Sequence, residues 1–212
     1  MCSGRVDLAF VLRAFSNGTD GVFIGGCHLN ECHYITDGNH HAFAMVQICK
    51  KMLQHIGVNP ERLRIDQMSA GEGIRFAEIM NDFSRKLREL GPIGGGEGID
   101  PATLSFRLEA ITKLIPYIRL VERERLRIRC RTAEDYEKYF ASEEMNRLFQ
   151  ELIAEKLALA EIVALLRERP RSTGEVADIL GLPPSEASRH LSLSAKQGLA
   201  KFDESQKRFV SL

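Results

Sequence analysis

The sequence predicts an α/β fold: a small parallel sheet with flanking helices, followed by a helical region and a winged helix-turn-helix. Three observations carry this reading. Short apolar runs of strand length alternate with longer segments of helical period over residues 1–91. A glycine-rich stretch at 93–101 then interrupts the pattern. The last fifty residues hold two capped helical segments followed by two short alternating ones.

Taken in order, Asp7 to Phe15 has Leu8, Val11, Leu12 and Phe15 at helical spacing and Asn17-Gly18 as its stop. Gly21-Val-Phe-Ile-Gly25 is an unbroken apolar run between turn residues, which predicts a strand buried on both faces. A helix from about His41 to His55 turns Ala44, Ile48, Met52 and Ile56 inward, and Gly57 closes it. Leu63 to Met68 is the second strand. Ser69-Ala-Gly-Glu-Gly73 then turns into a helix reaching Leu90, with Phe76, Ile79, Met80, Phe83 and Leu87 on one stripe. Helix and strand in alternation imply right-handed crossovers and parallel pairing. Two strands make a narrow sheet, so a first strand is expected to be missing, with residues 1–3 as its tail.

Ile93 to Pro101, with four glycines, is the expected hinge and domain boundary. Residues 102–126 are helical in pattern, with a kink expected at Pro116. Arg119 to Arg131 holds six Arg against two Glu, and from Arg125 the arginines alternate with Leu126, Ile128 and Cys130, which fits helix or strand. Tyr136 to Arg167 is helical again. Ser172-Thr-Gly-Glu175 is a capping pattern, Gly181-Leu-Pro-Pro184 a turn, and Ser185 is expected to cap a helix to Gln197. Segments 199–202 and 208–212 form the ribbon. The expected domains are 1–91, a connector at 92–143 and the winged helix at 144–212.

Composition sets the outer limits of function. The 212 residues carry 29 Lys/Arg and 29 Asp/Glu, which excludes a strongly basic nucleic-acid coat and an acidic solvating tail. Hydrophobic residues at 44% and charged residues at 27% suit a globular protein. No apolar run reaches the roughly 18 residues of a membrane helix, and no export signal is legible, so cytoplasm and no membrane partner are expected. Residues 144–212 hold 10 basic and 10 acidic side chains, and the recognition-helix segment offers Arg189, His190 and Lys196 against Glu186. Phosphate neutralisation dominates DNA affinity. DNA therefore remains an alternative ligand but is not favoured over protein docking.

The chemistry concentrates near the N-terminus. Of five cysteines, Cys2, Cys27, Cys32 and Cys49 lie in the first quarter and Cys130 stands apart; five of six histidines share that bias. An odd number of thiols without an export signal speaks against a disulfide framework. Cys27 follows directly on the first strand, where open parallel sheets form their sites, and Cys2 would take the equivalent place on a preceding strand. Cys2, Cys27 and Cys32 would then converge on one sheet edge. Thiolates are soft ligands for iron–sulfur clusters, zinc or copper(I). The residues leave three readings open: metal or cluster ligands, redox-active thiols, or packing residues. His28 and His33 are either ligands or polar loop residues. Cys49, beside Ile48 and Met52, reads as packing, and Cys130 among arginines as a thiol of depressed pKa if exposed.

Met1-Cys-Ser-Gly-Arg-Val-Asp7, Asp20-Gly-Val-Phe-Ile-Gly-Gly-Cys-His28, Cys32-His-Tyr34, Gly38-Asn39 and Ser69-Ala-Gly-Glu-Gly73 together resemble the delta subunit of methyl-viologen-reducing hydrogenase over about residues 1–91. The resemblance implies an iron–sulfur subunit relaying electrons between a hydrogenase, or another donor, and heterodisulfide-reductase-type flavoproteins. It implies a 2Fe–2S cluster held by Cys2, Cys27 and Cys32, with no residue acting as acid, base or nucleophile. Members of that family begin with a further strand ending in a Cys-x-x-Cys-type motif, sometimes with selenocysteine, and this sequence starts just after it. Upstream DNA read in frame through a stop codon is thus expected to encode Cys-x-x-Cys or its selenocysteine form. The reading from another class is a redox- or metal-sensing winged-helix transcription regulator.

Overall fold

The computed structural model describes residues 2–35 and 37–212, and the chain divides into two compact units, Met1–Arg147 and Leu148–Leu212. In the first unit α1 (Leu8–Ser16) begins where the Asp7 carboxylate accepts the Ala9 N–H at 2.7 Å, an N-cap that satisfies one orphan donor. Strands β1 (Val22–Gly26) and β2 (Leu63–Gln67) pair in parallel, from Val22 opposite Leu63 to Gly26 opposite Gln67. Parallel neighbours need a long crossover, and α2 (Asn39–His55) supplies it. Val46, Ile48, Cys49, Met52 and Leu53 of α2 are almost wholly buried. Its burial extends around most of the helix because α1, β2 and α5 (Ala133–Ala141) all pack on it.

Between α2 and α5 run α3 (Gly73–Leu90) and α4 (Pro101–Val121), the latter containing Pro116 and ending in a wider helical turn, Glu122–Leu126. α6 (Glu143–Phe149) follows α5. No regular structure forms at 127–130.

Several expectations change. Of residues 1–3, expected as the tail of a strand, Cys2 is extended, Ser3 begins a 3₁₀ turn reaching Arg5, and Met1 lies outside the described residues. β1 is not buried on both faces: Ile24 is buried but Gly25 is exposed. On α3, Ile79 and Phe83 are buried whereas Phe76 is 47% exposed. A two-stranded sheet is too narrow to cover a whole helical stripe, which accounts for both departures.

The glycine-rich stretch is wound around a charge. Arg62, fully buried, reaches Glu97 through Nε at 2.6 Å and Nη2 at 3.1 Å. Its remaining donors go to the carbonyls of Asp20, Leu90, Gly91 and Pro92 at 2.8–3.3 Å. A Cβ at Gly96 would overlap the Leu90 carbonyl, so glycine is required for this close wrap.

The second unit contains α7 (Glu155–Glu168), α8 (Thr173–Leu180), α9 (Pro184–Lys196) and an antiparallel ribbon of β3 (Ala200–Asp203) and β4 (Arg208–Ser211). Ser172 and Glu175 form the expected capping box. α9 begins at Pro184, not after a Ser185 cap, because proline tolerates the first helical position. Ile162, Leu166, Val176, Ala177, Ala187, Leu191 and Ala200 form its core. Helix, turn, helix and ribbon make a winged helix. Among the described residues no helix is long and apolar enough to cross a membrane.

Candidate functional site

The carboxyl ends of β1 and β2 open onto a cavity of about 540 Å³. Cys2, Cys27 and Cys32 all line it, together with Ser3, His33, Tyr34 and the residues following β2, Met68 to Ala70. Each thiol arrives by a different route. Cys2 has extended backbone and precedes the Ser3–Arg5 turn, whose Gly4 N–H donates to its sulfur at 3.4 Å. Cys27 follows β1 directly. Cys32 sits on the loop between β1 and α2.

Cys2 Sγ and Cys32 Sγ are 3.6 Å apart, and Cys27 lines the same cavity. That separation suits a thiol–thiol hydrogen bond, and it is close to the roughly 3.8 Å between two thiolates on one tetrahedral ion. Burial pushes the Cys27 thiol above its ordinary value, and its neighbours Cys32 and Cys2 push the same way. Burial would raise Cys32 as well, but N–H groups of Asn39 and Tyr34 and the thiols of Cys2 and Cys27 outweigh it and lower its pKa. Of these two thiols, Cys32 is therefore the more readily ionised.

Asn39 was legible only as a motif residue, and the structure assigns it a task. Fully buried at the start of α2, its Nδ2 donates to the carbonyls of Cys27 at 2.9 Å and His28 at 2.8 Å and approaches Cys27 Sγ at 3.5 Å. Gly38 lies so close to the loop that a Cβ there would overlap Cys32 Sγ and the Tyr34 carbonyl. A Cβ at Gly4 would meet the Asp37 and Gly38 carbonyls. The two motif glycines thus let the Cys2 turn and the Cys32 loop touch.

Glu72 is the other residue that motif spacing alone did not explain. One carboxylate oxygen accepts the Ser69 N–H and meets His28 Nε2, both at 2.6 Å, tying the loop after β2 to the loop after β1. The Ser69 N–H and then the His28 ring hold its carboxyl down to about 2. His28 is thereby committed to Glu72. His33 lines the cavity but is exposed and stacks edge-on against Tyr34.

Cys49 lies in the core, its thiol pushed up to about 12 by burial. Cys130 is half-buried, so the condition for a depressed pKa is not met, and burial together with Asp135 raises its thiol above the ordinary value.

Three soft sulfur donors on one rim, beside a buried Ser3 hydroxyl that lacks a partner among the described residues, fit an iron–sulfur group in donor type. Among the described residues, no group of three or more Cys, His, Asp or Glu side chains is placed to hold a single metal ion.

On the winged helix, the cations expected for DNA are largely spent. Arg189 pairs with Glu155 at 2.9 Å, and His190 is buried against Arg189 at 3.2 Å, which leaves Lys196 exposed.

The family description "methyl-viologen-reducing hydrogenase, delta subunit" matches residues 1–91, and "bacterial regulatory protein, arsR family" matches residues 160–201. An F420-non-reducing hydrogenase iron-sulfur subunit of Archaeoglobus profundus is 46% identical over 91 residues, 43% of this chain and 66% of that protein. The vhu-type F420-non-reducing hydrogenase iron-sulfur subunit of Methanopyrus kandleri is 37% identical over 92 residues, 43% of this chain and 69% of that protein. A ferredoxin/F(420)H(2)-dependent CoB-CoM heterodisulfide reductase chain from Methanosarcina acetivorans is 48% identical over 94 residues, 44% of this chain but 12% of that protein. The match thus spans just under two thirds of the first relative and about an eighth of the last.

Proposed function

The chain belongs to the methyl-viologen-reducing hydrogenase delta-subunit family, and from that premise we propose that it is an iron–sulfur electron-transfer subunit. It relays electrons between a hydrogenase, or another donor, and a heterodisulfide-reductase-type flavoprotein. In this reading residues 1–91 are the cluster domain, 92–143 the connector and 144–212 a winged-helix docking module, acting in the cytoplasm.

One observation carries the reading. Three cysteines separated by up to 30 positions line one cavity at the strand ends, two of them with sulfurs 3.6 Å apart. Cys2, Cys27 and Cys32 are the residues that would hold the cluster, of the 2Fe–2S type, which when bound accepts and releases single electrons. The chain's own residues position and tune. Asn39 fixes the Cys27 loop and brings an amide N–H toward its sulfur, and Gly4 N–H reaches Cys2 Sγ. Donors of this kind stabilise charge on sulfur and so raise a reduction potential. No side chain has to act as acid, base or nucleophile for such a relay.

The test is recovery of tagged full-length chain from its own cells grown without oxygen. Co-purification of hydrogenase or heterodisulfide-reductase subunits is expected, and their absence contradicts the proposal.

The arsR-type match at 160–201 favours a second reading, a redox- or metal-sensing regulator. With 10 basic and 10 acidic side chains over 144–212, and Arg189 of the recognition helix paired with Glu155, that unit carries no net positive charge to draw phosphate. A salt-dependent gel shift on the chain's own promoter favours the regulator. No shift at low salt removes it.

A further inference from the structure

Six arginines crowd residues 119–131, and three of them are spoken for: Arg119 by Asp7 at 2.6 Å, Arg123 by Glu124 at 2.7 Å, and Arg127 by both Asp37 at 3.0 Å and Glu122 at 3.2 Å. Arg125, Arg129 and Arg131 are exposed and carry no ion pair among the described residues.

The backbone that carries Arg129 and Arg131 lies beside the sulfur-bearing loop, and Arg125 stands two residues before Arg127 on the preceding helical turn. Arg127 grips Asp37, next to Gly38, which packs on Gly4 and Cys32. The Tyr136 hydroxyl, placed on α2 by His40 Nδ1 at 3.0 Å, donates to the Ile128 carbonyl at 3.4 Å. The Arg131 carbonyl accepts from Asn30 Nδ2 at 3.5 Å. Segment 127–131 therefore runs along the outer side of the Cys27–Asn39 loop, from Asp37 to Asn30. Arg129 and Arg131 are exposed while Ile128 and Cys130, which alternate with them, are half-buried, so the alternation sends the guanidinium groups outward.

We propose that Arg125, Arg129 and Arg131 form a docking ridge for an acidic redox protein that exchanges electrons at the neighbouring thiol site. The proposal rests on the electron-transfer reading above and names the partner's surface chemistry. Charge complementarity selects the occupant. Unpaired guanidinium groups offer paired N–H donors that match carboxylates, and local positive charge steers an acidic partner toward the site where transfer occurs. A nucleic acid fits less well. Within residues 119–131 only three cations lack an ion pair among the described residues, and Glu31 and Glu134 share a surface hollow with Arg131, where they repel a continuous phosphate backbone.

The test uses the full chain and an acidic ferredoxin as probe, with binding followed by biolayer interferometry from low to physiological salt. Wild type should bind, and its affinity should fall steeply as salt rises. The R125Q/R129Q/R131Q variant should bind about tenfold or more weakly at low salt with a flattened salt dependence. R129Q alone should be intermediate, and R13Q, an exposed arginine on α1, should match wild type. Circular dichroism and iron content of the variants should equal those of wild type. Absence of binding by wild type, salt-independent binding, or an unchanged triple variant overturns the proposal, as does preference for flavin mononucleotide or DNA over ferredoxin. A chain that binds no iron yet shows the expected salt-dependent binding refutes the cluster and leaves the ridge standing, so the two failures are separable.

Discussion

Asn39 Nδ2 reaches both the Cys27 carbonyl, at 2.9 Å, and the Cys27 sulfur, at 3.5 Å. A single amide at the start of α2 therefore fixes the backbone and the side chain of the cysteine that ends β1. Asn39→Ala should orphan the Cys27 and His28 carbonyls and cost about 1–3 kcal/mol per unsatisfied buried group. Chemical unfolding read by far-UV circular dichroism checks the cost. Iron bound per chain after anaerobic preparation, expected to fall, checks the effect on the site.

Gly38→Ala should disturb the same site sterically, since the added methyl would overlap Cys32 Sγ and the Tyr34 carbonyl. Gly71→Ala, on the loop after β2, meets open space and should leave iron content and stability unchanged. Equal behaviour of the two variants in an iron assay and a thermal melt would contradict the close approach of the Cys2 turn and the Cys32 loop.

The buried Arg62–Glu97 pair should dominate the stability of its unit. Glu97→Gln leaves an uncompensated guanidinium in the interior and is expected to cost about 3–5 kcal/mol. Urea unfolding of the full chain, followed as two transitions if the units melt separately, measures it.

The same pair sets a pH dependence. Burial would raise the Glu97 carboxyl, but Arg62 and the N–H groups of Asn59 and Gly94 hold it below its ordinary value of 4.5. A carboxylate whose folded pKa is lowered contributes stability that is full above its unfolded pKa and is lost as pH falls through the folded one. Wild type should therefore lose stability on acidification below about pH 4.5, in the range where Glu97→Gln shows a shallower slope. Parallel slopes for the two proteins would contradict the assignment.

Cys49, fully buried with its thiol pushed up to about 12, should resist iodoacetamide in the native protein and react only on unfolding. Mass spectrometry of native and denatured samples reads this directly.

Much of this arrangement was legible in the sequence, and the remainder was hidden for identifiable reasons. Local pattern sufficed for α1, β1, α2, β2 and the winged helix, because capping residues and apolar spacing act over a few positions. The place of Cys27 followed from the rule that parallel strands gather sites at their carboxyl ends, whereas Cys2 reaches the same cavity from a 3₁₀ turn rather than from a preceding strand. Arg62 was invisible because its burial depends on Glu97, 35 residues away, and on four carbonyls that carry no sequence signal. Phe76 was misplaced because helical period gives a direction but not the width of the sheet beneath it. Asn39 and Glu72 stood in the sequence as motif residues, but their hydrogen bonds join loops that only the fold brings together.

The most direct measurement is anaerobic reconstitution of the full chain with iron and sulfide, followed by metal and sulfide analysis, visible absorbance and electron paramagnetic resonance after reduction. Stoichiometric iron and sulfide are expected in wild type, with a rhombic signal from the reduced protein and their loss in Cys27→Ser and Cys32→Ser but not in Cys49→Ala. Iron retained equally by all four proteins, or by none, would contradict the thiol-held cluster on which the account depends.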